Sequence, residues 1–177
     1  MTTVAGYYSI LRQLSKAIII ILAVGIAIPL VIGYIFGIQP GKIFLLITST
    51  LALQATAAPV GVKLNLPPAI ILAVMGLFAV GMVVGIYEIL DTLALSSVRV
   101  KKVLDKTEQK LSKLKRFQKY GGFACLFISS IPGLGLYSTP IIAWILRWNK
   151  WLSIVCTIIG FILVSIVFLL ISLGLLK

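Results

Sequence analysis

The sequence predicts an all-α, polytopic integral membrane protein with three full spans and two re-entrant hairpins in an inverted-repeat-like arrangement. Three observations carry that prediction. Of 177 residues, 60% are apolar and 11% are charged. Mean hydropathy is +1.16, whereas a soluble domain has about 45–50% apolar and about 25% charged residues. The apolar residues fall in runs of bilayer length, and two of those runs are interrupted by Pro, Gly and hydroxyl side chains.

The first run, residues 17–38, follows Arg12 and Lys16 and carries no charge. As a helix it reaches about 33 Å at ~1.5 Å per residue, enough to cross the hydrocarbon core. It is too long for the apolar region of a signal peptide and reads as a retained span, with a kink expected at Pro29. Gln39-Pro40-Gly41-Lys42 is a turn signal. Residues 43–62 are less apolar and contain Thr48, Ser49, Thr50, Gln54, Thr56, Pro59 and Gly61. Residues 68–87 form a second strong span with Gly76, Gly81 and Gly85 as close-packing surfaces, ending at Glu88 and Asp91.

Residues 96–119 are the longest polar stretch. Arg99, Lys101, Lys102, Lys106, Lys110, Lys113, Lys115, Arg116 and Lys119 lie here, with Val103, Leu104, Leu111, Leu114 and Phe117 at helical spacing. The segment reads either as a solvated connector or as an amphipathic helix on anionic lipid or a partner. Nothing else in the chain resembles a nucleic-acid module, so no nucleic-acid partner is expected. Residues 120–146 are apolar but broken at Pro132, Gly133 and Gly135. Each arm is about half a bilayer long, which favours a hairpin over a straight span. Trp144, Trp148 and Trp151 read as an interfacial aromatic belt beside Arg147 and Lys150, and 151–176 is the last span. The organisation is thus a membrane half (1–95), a basic helix (96–119) and a second membrane half (120–177).

Charge sets the expected orientation. With two hairpins, Arg12, Lys16, the 96–119 segment, Arg147 and Lys150 all lie on one side, which the positive-inside rule makes cytoplasmic, with Lys63 and Lys177 opposite. The protein is then expected in the cell membrane with its N-terminus cytoplasmic. Each half has a Pro/Gly-containing polar segment followed by a long Gly-containing helix, a weak internal repeat of the kind seen in transporters.

The chain has no histidine. That removes His triads, His metal sites and His proton relays. There are no paired carboxylates in an apolar run and no phosphate loop, so neither enzyme activity nor a metal or cofactor is expected. Cys125 and Cys156 lie in apolar runs and read as core residues. The candidate substrate pathway comprises Gln54, Thr56 and Pro59 from the first hairpin, and Pro132, Gly133, Gly135, Tyr137, Ser138 and Thr139 from the second. For each, helix packing is the competing reading. Glu88 is the candidate ion-coupling carboxylate, with a surface ion pair to the basic segment as the alternative. The chain has no mid-span carboxylate, which argues against a simple proton antiporter.

The stretch from Arg116 to Val167 resembles the putative small multidrug export protein family, a distant relative of the DedA and SNARE-associated membrane proteins. The matching residues are Lys119, Tyr120, Gly121, Ile131, Pro132, Gly135, Tyr137, Ala143 and Gly160. The resemblance implies two re-entrant hairpins facing each other. It also implies an acidic residue and an arginine shortly before the first hairpin's proline; aligned on Pro59, Leu53 and Ala55 stand there instead. Two function classes follow: a carrier of small or lipid-like molecules, of which a lipid scramblase is one form, and a non-transporting membrane subunit that binds partners or a second copy of itself.

Overall fold

The computed structural model describes residues 2–96, 115–131 and 135–175, and these are helical apart from short connections. Four segments are long and apolar enough to cross a membrane: Leu11–Ile35, Pro40–Lys63, Pro68–Ala94 and Lys150–Ser172. The protein is a polytopic, all-α membrane protein.

The first span consists of α1 (Thr2–Leu22), a π-helical turn (Ala23–Ala27) and α2 (Ile28–Ile35). Pro29 does not break it. The turn ahead of the proline widens so that the Ile28 N–H reaches the Ala23 carbonyl, which accommodates the missing donor within a continuous rod. The span packs antiparallel on α5 (Pro68–Ser96). Gly81 meets the Gly25 backbone, while Gly85 meets Ile21 and Ala17. A Cβ on Gly81 would lie 2.7 Å from the Gly25 nitrogen. Apolar burial drives little between helices in lipid, so such small-residue contacts are what hold them together.

Between these two helices the chain reverses. α3 (Pro40–Leu53) ends in a 3₁₀ turn (Gln54–Ala57), and α4 (Ala58–Lys63) leads back. Ile43 packs on Gly33 near the end of α2, and Ile71 at the start of α5 packs on Gly61. Pro40 and Lys63 therefore lie at the same end of the molecule. Pro59 and Gly61 are the Pro and Gly of this segment in the sequence; the observed break is at Gln54. Pro59 instead occupies the first turn of α4, where its lack of an N–H costs nothing.

The second half repeats this plan from the other end. α6 (Lys115–Ser129) runs parallel to α8 (Lys150–Ser172), with Gly121 against Trp148, and Gly160 against Leu126 and Ser129. α7 (Gly135–Ile145) returns beside them. α5 and α8 are antiparallel: Gly76 faces Ile162, and Glu88 lies 3.7 Å from Lys150. The Lys16–Glu88–Lys150 end thus holds the mouth of the second hairpin, and the Pro40–Lys63 end holds the mouth of the first.

The two halves share a register. α4 and α7 are each followed, two residues past their last residue, by a left-handed residue at φ 55°, Asn65 and Arg147. The next N–H then bonds back: Leu66 to the Gly61 carbonyl at 3.1 Å, Trp148 to Ala143 at 3.0 Å. The separation is 82 residues, the same as between Gln54 and Leu136, which touch. At that offset the buried faces of α5 and α8 coincide: Ile71 with Ser153, Val74 with Cys156, Met75 with Thr157, Val83 with Ser165. Cys125 and Cys156 are free and buried, as expected of core residues.

Candidate functional site

The two helix breaks meet in the interior. A 3₁₀ turn interrupts the helical ladder, so the last carbonyls of α3 need other donors. Thr50 keeps its ordinary helical donor, the Gln54 N–H. Side chains serve two of the others: the Tyr137 hydroxyl donates to the Leu51 carbonyl at 2.6 Å, and the Thr56 hydroxyl to that of Leu53 at 2.7 Å. In the opposite direction Gln54 Oε1 accepts from the Leu136 N–H at 3.3 Å, satisfying an N–H in the first turn of α7. Gln54 is buried and has φ 55° and ψ −129°, a region that side-chain-bearing residues rarely occupy. The contact across to α7 and the bond to Thr50 hold it there.

Of the residues assigned to the pathway, Gln54 and Tyr137 thus both bond across the two tips, Gln54 to Leu136 and Tyr137 to Leu51. Gly135 sits against the Ser129 backbone, which leaves no room for a Cβ. Thr139 turns inward, and its hydroxyl donates to the Gly135 carbonyl. Thr56, Pro59 and Ser138 are half-buried on the flanking turns. Pro132 and Gly133 lie outside the described residues. So do Arg99, Lys101, Lys102, Lys106, Lys110 and Lys113, and the side chains of Lys115, Arg116 and Lys119. The backbone of those last three belongs to α6, which continues to Ser129; the boundary expected at residues 119–120 is not a helix boundary.

A second polar cluster closes one end of the molecule. Lys150 Nζ lies 2.7 Å from Asp91 Oδ2 and 3.7 Å from Glu88 Oε1, and Lys16 Nζ is 3.9 Å from Glu88 Oε2. The Trp144 indole N–H donates to Asp91 Oδ1 at 2.8 Å, and Lys150 sits 5.7 Å from the Tyr87 ring centre. Four helices, α1, α5, α7 and α8, are joined here. Glu88 is an ion-pairing residue, and its described partners are lysines at the starts of spans. The aromatic belt is corrected: only Trp151 projects outward, at 75% exposure. Trp144 is bound to Asp91, and Trp148 is buried against Gly121. The sequence reading missed the role of Asp91. The available signal was its position three residues after Glu88, near one helix face, with a lysine opening the final span.

Among the described residues, no group of three or more His, Cys, Asp or Glu is placed to hold a metal ion. What the fold and the paired breaks define is a multi-pass membrane protein built from two opposed halves. The chain belongs to the family described as "putative small multi-drug export protein", whose sequence profile matches residues 54–167. The match begins at Gln54 and includes α5 and α8 as far as Val167. No curated protein and no solved structure matches the chain.

Proposed function

We propose that the protein is a carrier or exporter of small or lipid-like molecules, and that they pass between two re-entrant hairpins. The observation that carries this reading is the meeting of the breaks, Gln54 with Leu136 and Tyr137 with Leu51. Irregular backbone at membrane depth occurs where it is buried in protein or lines a path, and opposed hairpins at a repeat interface are a recurrent transporter plan. Both ends of Pro40–Lys63 lie at one end of the molecule, which supports re-entry over a fourth crossing. Lipid scrambling of the DedA-like type is the form of this activity that needs no coupling carboxylate. It fits a chain whose Glu88 is held by Lys16 and Lys150. On this reading the protein is not an enzyme. It lies in the cell membrane with Lys16, Lys150 and the basic segment on the cytoplasmic side, where Arg99 to Lys119 bind anionic lipid.

A second reading is a non-transporting subunit that docks partners or another copy of itself. It is favoured by Leu53 and Ala55 standing where the family resemblance implies a charged pair. Reconstitution into liposomes separates the two. Fluorescent-lipid scrambling or dye efflux above that of empty vesicles supports carriage. Folded protein with neither activity supports the subunit. Peptide 96–119 should become helical on anionic vesicles and bind neutral ones much less; equal, salt-insensitive binding would refute the lipid assignment.

A further inference from the structure

Two short arms lead away from the hairpin tips, α4 in the first half and α7 in the second, and they are held in different ways. At the 82-residue offset that pairs Gln54 with Leu136, Ala58, Val62 and Pro68 stand where the second half has Pro140, Trp144 and Lys150. α4 is fixed by close apolar packing. Gly61 lies against Ile71, and a Cβ there would meet Ile71 Cγ1 at 2.7 Å. Among the described residues, no ion pair ties α4 at its outer end.

α7 is held by polar contacts at both ends. At the tip the Leu136 N–H donates to Gln54, and the Tyr137 hydroxyl to Leu51. At the outer end the Trp144 indole donates to Asp91 at 2.8 Å, and Lys150 holds Asp91 in turn at 2.7 Å. Between the two ends Pro140 lies inside the helix. It has no N–H to give the Leu136 carbonyl, so the helical ladder is weakest where the tip half joins the outer half. The outer contacts are also the weaker ones. The Lys150 and Asp91 side chains are 40% and 46% exposed, and such pairs are screened by salt and contribute little. Behind them the outer half covers buried surface, with Ala143 only 1% exposed.

We propose that α7 is a gate arm: its outer half turns about Pro140, the Trp144–Asp91–Lys150 contacts are the latch that holds it shut, and α4 is its fixed counterpart. A proline inside the arm and a polar latch at its free end occur together in the second half; the first half has neither, since Ala58, Val62 and Leu173 align with Pro140, Trp144 and Asp91. The gate opens at the charged end of the molecule. It does not depend on which molecule crosses the membrane, and its test reads accessibility, not transport.

The test uses the full chain in lipid nanodiscs with Cys125→Ala and Cys156→Ala, carrying one reporter at a time. Ala143→Cys reports on the arm. Ala17→Cys, fully buried beside Lys16 at the same end, reports on the bundle. Trp144→Phe removes the indole donor and leaves the Asp91–Lys150 pair in place. It is expected to speed labelling of Ala143→Cys by a charged maleimide roughly fivefold, the factor that corresponds to ~1 kcal/mol of lost latch, and to leave Ala17→Cys unchanged. Adding Pro140→Ala, which restores the backbone donor, should bring the rate back towards that of the parent. No acceleration at Ala143→Cys in folded protein overturns the proposal. Equal acceleration at both reporters also overturns it, because the whole end of the bundle then frays. An acceleration that Pro140→Ala leaves untouched overturns the hinge, and the gate with it. Should either reporter fail to fold, amide hydrogen exchange on the chain with its native cysteines reads the same outcomes: Trp144→Phe should speed exchange in residues 141–146 and not in residues 58–63 or 17–22, and unchanged or uniformly faster exchange overturns the proposal.

Discussion

The two halves share a helical plan but differ in what they bury along it. In the first half α5 carries Ile71, Val74, Met75 and Val83 inward; at the same register α8 carries Ser153, Cys156, Thr157 and Ser165. α3 buries Ile43, Leu46, Ile47 and Thr50, while α6 buries Cys125 and Ser129. One backbone plan therefore supports a mostly apolar interior and a more polar one. It can do so because helical hydroxyls satisfy themselves. Thr157 donates to the Ser153 carbonyl at 2.7 Å, and Ser165 to Phe161 at 2.8 Å, so neither needs a partner from another helix. The halves differ at their ends as well. The acidic and basic residues that join Lys16, Glu88, Asp91 and Lys150 have no counterpart 82 residues away, where Leu170 and Leu173 align with Glu88 and Asp91.

The largest expected effect probes this small-residue packing. Gly160 lies so close to α6 that an added Cβ would meet the Leu126 carbonyl at 2.6 Å as well as the Ser129 hydroxyl. Gly76, on the partner helix, has only the Ile162 side chain, at 3.6 Å and 3.9 Å. Gly160→Ala should therefore destabilise the protein by about 1–3 kcal/mol, the usual scale of overpacking, while Gly76→Ala should be near neutral. Unfolding in mixed micelles measures both. Equal effects would mean that α8 does not rely on the close approach.

Next in size is the tip of the first hairpin. Gln54→Ala removes the acceptor for the Leu136 N–H and keeps a Cβ at φ 55°. A loss of about 1 kcal/mol is expected. Gln54→Gly loses the same bond but removes the backbone penalty, worth about 1 kcal/mol. The glycine variant should be the more stable of the two, with a melting temperature close to that of the parent. The reverse order would show that Gln54 is unstrained.

Much of this arrangement is visible in the sequence, and the exceptions have physical causes. Charge-free runs and basic clusters mark the spans because lipid tolerates few alternatives. The break near Gly135 shows in its Pro and Gly residues. The break at Gln54 does not show, because the positive φ is held by contacts with α7, more than 80 residues away. Pro59 misleads for a related reason: a proline that opens a helix looks the same as one that ends it. Trp148 looks like an interfacial anchor by position, and only Gly121 on another helix shows that it has a buried seat. The sequence places Glu88 near charge; its pairing with Lys16 and Lys150 requires three helices to converge.

The charged end gives a smaller, salt-dependent effect. Asp91→Asn keeps the shape but removes the charge that Lys150 approaches at 2.7 Å. The Asp91 side chain is 46% exposed, so screening limits the loss to about 1 kcal/mol. The parent should lose more stability than the variant when salt is raised. Identical salt dependence would place the stabilisation in the Trp144 bond alone.

The smallest effect tests whether the tips hold each other in both directions. Tyr137 Oη donates to the Leu51 carbonyl, just ahead of the 3₁₀ turn that ends α3. Tyr137→Phe removes that bond and keeps the ring packing. Hydrogen bonds between membrane helices average only about 0.6 kcal/mol, since the freed group often finds another partner. A loss of that order is expected. A double-mutant cycle with Gln54→Ala is the sharper measurement. The two bonds cross the same interface, so once one is gone the other should hold less firmly. The double variant should then be more stable than the sum of the two single losses predicts, by a few tenths of a kcal/mol. Strict additivity would mean that each bond stabilises only its own helix end, and the tips would then be two independent caps and not one latch between the halves.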